Sequence, residues 1–285
     1  MARDGRNDYI GAMNTPAALP FILPARRILS VAGPDARDLL QRVITADVIS
    51  LEDGQCRPGA LLTPQGKILV DFLIFADGET LWLDVPASAA EGLLKRLTMF
   101  KLRAKAEIVL HGDLVAVWST SPFPGSAADP RLAGRVHRGL AEAGSEERAL
   151  DVIEIEAGVP AFGRDYGEAE VFPTDVNLDA FGGVGWKKGC FIGQEVVSRM
   201  KRRGTIRKRS LPAVFAAAAP PPGTGIMAGP TTVGAISSSL GHHAVILARL
   251  DRLRAAEHYC EADGQEASIV VPDEFWADLE AAPKV

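Results

Sequence analysis

The chain has 285 residues, 47% hydrophobic and 24% charged, with a net charge of −5. That length is more than one small core needs and suits two or three packed domains of ordinary globular composition. No apolar run reaches the roughly 18–20 residues of a membrane-spanning helix, and the first residues carry Asp4 and Asp8 with no apolar stretch behind them, so neither a membrane span nor a secretory signal is expected.

In chain order, residues 1–16 read as a flexible tail and 17–210 as the main folded region. Arg27 to Val31 is a strand candidate, and Gly33-Pro34-Asp35 starts a helix with Leu39, Leu40, Val43 and Ile44 on one stripe. Arg57–Leu62 and Lys67–Phe75 read as paired strands around the turn Thr63-Pro64-Gln65-Gly66. After the Asp77-Gly78 turn come a strand at 80–85 and a helix at 88–100 with Leu93, Leu94, Leu97 and Phe100 on one face. Strands are expected again at 106–110 and 114–118, then an exposed loop over 119–130. Residues 146–157 read as a helix with Ala149, Val152, Ile153 and Ala157 inward, and 193–200 as another. This order indicates an α+β sheet covered by helices. Residues 211–225, with the run AAAAPPPGTG, read as a linker, and 226–285 as a small antiparallel barrel with strands near 231–238, 243–249 and 267–271.

The cysteines Cys56, Cys190 and Cys260 are odd in number and far apart, which disfavours a disulfide framework and a self-sufficient metal site and suits a reducing cytoplasm. The histidines His111, His137, His242, His243 and His258 stand at no metal-ligand spacing, and nothing points to a Cys–His hydrolase. No glycine-rich phosphate loop is present.

Charge is concentrated in residues 187–209, where nine cations against Glu195 alone give +8 and leave −13 on the rest of the chain. This density suits a solvated helix face or an anion site. Within it stands Lys187-Lys188-Gly189-Cys190-Phe191-Ile192-Gly193-Gln194-Glu195. A thiol beside cations and a helix N-terminus is activated; a small cysteine packed between glycines is inert; both readings fit Cys190, while Cys56 and Cys260 read as core. Asp71 and Glu156 are carboxylates among apolar neighbours, either caps and arginine partners or acceptors for the ring N–H groups of a pterin-like ligand.

At these residues the sequence resembles the YgfZ branch of the folate-binding family that includes the glycine-cleavage T-protein (GcvT). The branch motif Lys-Gly-Cys-Tyr-x-Gly-Gln-Glu is matched by Lys188, Gly189, Cys190, Gly193, Gln194 and Glu195, with Phe191 in place of Tyr. Gly33-Pro34-Asp35-Ala36, Thr45-Ala46-Asp47-Val48, Leu62 to Lys67, Ile155 to Gly158 and Gly234 to Ser238 follow in the family's order, so the resemblance covers about residues 22–272. It implies a three-domain GcvT-like ring, two α+β halves around a central folate cavity, with a barrel as third domain. It implies tetrahydrofolate in that cavity, Asp71 and Glu156 accepting pterin N–H groups, Arg199 and the basic run 201–209 meeting the glutamate tail, and Cys190 at the cavity mouth. It further implies assistance to assembly or repair of iron–sulfur clusters, including those of tRNA-modifying enzymes, with assembly proteins or client enzymes as partners and no permanently bound metal.

T-proteins carry two aspartates where this chain has Val70-Asp71, which speaks against classical aminomethyl transfer. The alternatives are a one-carbon transferase and a basic-patch module docking RNA or protein. The absence of aromatic residues among the cations after Phe191 argues against a stacking-type nucleic-acid binder.

Overall fold

The computed structural model describes residues 19–256 and 259–280. The segment 1–16 read as a tail, His258, and residues 281–285 of the last predicted domain lie outside the described residues.

Short strand β1 (Phe21–Ile22) is followed by β2 (Arg26–Ala32), helix α1 (Ala36–Val43), β3 (Cys56–Leu62), β4 (Ile68–Asp77), β5 (Thr80–Pro86), helix α2 (Ala87–Lys101) and β6 (Glu107–His111). β2 to β6 form an antiparallel sheet in the order β3-β4-β5-β2-β6. Strand alternation divides its side chains between two faces. Val70, Phe72, Ile74, Leu81 and Leu83 pack with Leu39, Leu40 and Val43 of α1 and Leu93 and Leu97 of α2. Asp71, Leu73 and Phe75 point the other way, where Leu73 and Phe75 meet Trp82, Ala127 and Leu140. On α2 the expected stripe holds for Leu93 and Leu97, but Phe100 at the helix end is 38% exposed.

A second sheet lies over that other face. It is built from β1, β7 (Val115–Ser119), β8 (Ala127–Ala128) and β9 (His137–Ala141) in the order β1-β7-β9-β8. The loop expected over 119–130 is exposed only in its first part: Ala127 and Asp129 are buried, and a 3₁₀ turn follows at Pro130–Leu132. The helix expected over 146–157 is shortened to α3 (Asp151–Glu156). Residues 146–148 instead run beside β1, with Ile22 N–H donating to Glu146 O at 2.8 Å and Arg148 N–H to Ile22 O at 2.9 Å. The inward residues of α3 are Glu154 and Ile155, and Val152 faces solvent. Strand pairing overrode the apolar period, and buried arginines drew an acid inward where hydropathy placed an aliphatic residue.

Helix α4 (Gln194–Arg202) leads into β10 (Lys208–Phe215), β11 (Gly225–Ala228), β12 (Thr231–Leu240), β13 (His243–Arg249), α5 (Leu250–Ala255), β14 (Glu261–Ala262), β15 (Gln265–Ile269) and α6 (Asp273–Glu280). The six strands close into a barrel in the order β10-β13-β12-β11-β14-β15 around Leu211, Phe215, Ile226, Val233, Ile236 and Ile246. The barrel thus begins at Lys208, inside the region assigned to the main fold. The linker expected over 211–225 is corrected accordingly: its first five residues belong to β10, and the Ala/Pro-rich remainder is a loop within the barrel. A linker composition marks a loop without saying which domain owns it.

Cys260 is buried in the barrel core. Cys56 donates to Ala128 O at 3.2 Å, and burial pushes its thiol up to about 12, so both are inert packing residues. Among the described residues no helix is long and apolar enough to cross a membrane, and no group of three or more His, Cys, Asp or Glu side chains is placed to hold a metal ion.

Candidate functional site

Between the two sheets, at the end nearest β1, lies a cavity of about 370 Å³. Its apolar wall comes from Leu23, Pro24, Leu150, Ala161 and Phe162, and its polar wall includes Arg26, Asp71, Arg131, Arg138, Glu154 and Arg164. All of these polar groups except Asp71 sit in a continuous ion-pair network. Arg26 Nε donates to Asp84 Oδ1 at 2.6 Å, and Arg138 donates to the other oxygen of Asp84. Arg138 also approaches Asp129 at 3.6 Å, Arg131 pairs with Asp129 at 2.7 Å, and Arg164 pairs with Glu154 at 3.0 Å and Asp165 at 2.8 Å. Ser238 of β12 donates to Asp165 at 2.5 Å, tying the barrel to the cavity wall.

Burying unpaired charges is costly, and here each arginine is matched by acids. Burial raises the pKa of Asp84, but Arg26 and Arg138 outweigh it and hold the carboxyl below its ordinary range. Burial likewise raises that of Asp129, and Arg131 outweighs it.

Asp71 is different. It is half-buried at the cavity wall and makes no ion pair among the described residues; the Tyr166 side chain lies beside it. Burial pushes its pKa up, and the more distant Arg26 and Arg131 and the Tyr166 side chain do not compensate. Tyr166 is held neutral, its pKa driven well above the ordinary phenol value by burial and by Asp71. Asp71 is therefore an acceptor turned toward the cavity without a cation of its own.

The other expected folate contacts do not converge on it. Glu156 stands at the outer end of α3, 37% exposed and 3.4 Å from Arg135, outside the cavity lining; the inward acid of that helix is Glu154. Arg199 is 49% exposed on α4, 3.7 Å from Glu195, and also lies outside the lining. Helix rotation decides the first: the two-residue offset on α3 puts Glu154 and Glu156 on opposite faces, Glu154 in and Glu156 out. The run 201–209 is divided as well, since Arg209 is buried against Asp179 at 2.5 Å while Lys201 and Arg202 stay on the surface.

Sequence reasoning missed Arg26, Asp84, Asp129, Arg131, Arg138, Glu154, Arg164 and Tyr166. The available signal was Asp84 between Leu83 and Val85, a charge inside an apolar strand that required a partner.

The Lys188–Glu195 motif builds a separate place. Cys190 is exposed, and it does not line the Asp71 cavity, so its expected position at that cavity's mouth is corrected. It borders an open pocket of about 720 Å³ with Trp186, Phe191, Gln194, Glu195, Ser198, Lys201 and Arg202, in which Lys201 sits 4.2 Å over the Trp186 ring. Gly193, Lys188 and Phe191 of the motif each have a physical role here. Gly193 begins α4 at φ 78°, and a Cβ there would lie 2.6 Å from Thr63 O. A Cβ on Gly66 of the same turn would lie 3.2 Å from Val196 and Val197, so the two glycines let the β3–β4 turn seat against α4. Lys188 is not a companion of the thiol: its Nζ donates to Ile44 O at 2.8 Å and Ala46 O at 2.6 Å, and burial brings its pKa down to about 8. Phe191 is buried with Leu62, Ile68 and Val197. Gly189 has open space around it.

The comparisons with known proteins agree with this architecture. The family model described as the CAF17 C-terminal β-barrel domain matches residues 207–277, the span of the closed barrel. Aminomethyltransferase T of the glycine cleavage system from Bartonella henselae superposes with a TM-score of 0.70 at 14% identity, covering 90% of this chain and 86% of that one. The two sheets and barrel thus define a GcvT-like fold. The chain is also 34% identical over 220 residues to the mitochondrial iron–sulfur cluster assembly factor IBA57 homolog of Pyricularia oryzae, covering 68% of this chain and 56% of that relative. To the tRNA-modifying protein YgfZ of Vibrio vulnificus it is 29% identical, covering 70% of this chain and 72% of the relative. The chain thus resembles the IBA57 and YgfZ proteins, and it spans little more than half the length of the Pyricularia relative.

Proposed function

We propose that this protein binds tetrahydrofolate in the Asp71 cavity and assists assembly or repair of iron–sulfur clusters, with Cys190 as the thiol that meets iron or a partner. The observation that carries the folate reading is Asp71 itself, a cavity-facing carboxyl outside every arginine pairing. A pterin ring offers adjacent N–H donors along one edge and an apolar face. Asp71 accepts from the edge, and Phe162 and Leu150 cover the face. Bound tetrahydrofolate would supply a reduced pterin able to carry one-carbon units. The chain's own residues orient it, keep water from its ring and offer Arg26 and Arg164 toward its anionic end.

Val70 is 3% exposed against the helices and brings no second carboxylate to the cavity, which supports a binding role over aminomethyl transfer. The cluster reading is supported by the resemblance to iron–sulfur cluster assembly factors and by the exposed thiol. A single cysteine leaves the remaining ligands of any cluster to a partner, so the cluster is cargo and the partner an assembly protein or a client enzyme. Three unpaired cysteines suit the reducing cytoplasm.

Complementation of a strain lacking the gene tests both halves, with activity of a [4Fe–4S] enzyme as the readout. Cys190→Ser and Asp71→Ala are each expected to lose support at normal protein levels. Wild-type support from Cys190→Ser would remove the thiol's role.

A further inference from the structure

The space between the two sheets opens a second time, beyond Leu73 and the Asp84–Arg138 pair. There β4 and β5 place Phe75 directly opposite Trp82 in register, and the second sheet contributes Ala127 and Leu140. Together with Leu114 and Gly125 they enclose a cavity of about 460 Å³, within the roughly 300–1,000 Å³ usual for small-molecule sites. Its walls are aromatic and aliphatic, and its two charged lining residues are Asp53 and Asp77. We propose that this cavity binds a small organic cation, a primary amine carried on an aromatic or branched apolar group.

Charge and geometry select that class. Asp77 at the end of β4 is exposed and makes no ion pair among the described residues. Asp53 accepts from Gly78 N–H at 3.0 Å, and the nearest cation, Arg37, stands 4.0 Å away. Arg37 is itself committed to the carbonyls of Val48 and Leu51 at 2.6 and 2.9 Å, so it does not close the mouth. The same turns carry Glu52 and Glu79, and Asp113 precedes Leu114, so carboxylates come from three separate turns.

An anionic ligand would meet repulsion there. A neutral apolar one would fill the walls and leave the acids unanswered. A cation on an apolar body satisfies both. This site shares no lining residue with the Asp71 cavity, and the proposal stands whether or not folate binds there.

Calorimetric titration with tryptamine, N-acetyltryptamine and indole-3-propionate tests it on the full-length protein. Tryptamine is expected to bind, the neutral acetyl derivative about tenfold more weakly and the carboxylate not at all. Asp77→Asn, on an exposed turn that leaves folding intact, is expected to weaken tryptamine by about tenfold, whereas Asp71→Asn leaves it unchanged. Absence of tryptamine binding, equal binding of the three compounds, or an unchanged Asp77→Asn variant would each overturn the proposal. Binding of a basic, aromatic peptide without any binding of the free amine would also overturn it, in favour of a protein partner.

Discussion

The Asp71 cavity and the Cys190 pocket are built in opposite ways. Around Asp71 the charges are largely buried and paired, and one carboxyl is left outside the pairing. Around Cys190 the backbone is fixed, by Gly193 against Thr63 and by Lys188 against two carbonyls, while the thiol, Lys201 and Arg202 face solvent. A ligand held between sheets needs polar groups oriented in advance, because it must be desolvated on entry. A thiol that meets another macromolecule needs access, and the motif supplies a rigid platform beneath it. In this chain the motif's most constrained residues are therefore structural, and its exposed thiol is held least.

The contrast can be broken most severely inside the network. Arg138→Leu leaves Asp84 and Asp129 buried without one of their partners and is expected to cost about 3–5 kcal/mol in chemical denaturation. Next in size is Gly193→Ala, where positive φ alone costs about 1–3 kcal/mol and the contact with Thr63 O adds to it. Gly189→Ala, one residue before the cysteine, should stay within about 0.5 kcal/mol because nothing lies near it.

A smaller effect of the opposite sign is expected at Asp71. Its pKa is raised in the folded state, so its ionised form opposes folding: the penalty is absent below the unfolded value of 3.8 and grows as pH rises through the folded value. Asp71→Asn should therefore be more stable than wild type near neutral pH, with the gain vanishing in acid. Asp84 behaves in reverse, contributing stability above 3.8 that is lost as pH falls through its lowered folded value. Thermal denaturation across pH 3 to 8, wild type against Asp71→Asn, checks the first sign. Smallest is Cys190→Ser, expected to change stability by less than about 0.5 kcal/mol because the side chain is exposed.

Much of the fold was legible where pattern and local chemistry agreed. The strands around Pro64-Gln65-Gly66, helix α1 and the barrel strands β12 and β13 lie close to where periodicity and turn residues put them. The motif's location was legible too, since a glycine at a helix start next to a tight turn leaves a local trace. The cavity was not. Its arginines lie at positions 26, 131, 138 and 164, on a strand of each sheet, a 3₁₀ turn and a loop that meet only when the two sheets pack face to face, and no spacing rule connects them. Glu156 was chosen for its local surroundings, yet which acid of α3 turns inward depends on Arg131 and Arg164, which are supplied by other segments. Local periodicity also failed at 146–150, where pairing with β1 outweighed helix propensity.

The most direct test is calorimetric titration of tetrahydrofolate under reducing conditions, comparing wild type, Asp71→Asn and Cys190→Ser. Binding by wild type and Cys190→Ser alike, weakened at least about tenfold, or roughly 1.4 kcal/mol, in Asp71→Asn, is the expected result. Equal affinity of Asp71→Asn and wild type, or no binding by either, would contradict the assignment of this cavity to folate.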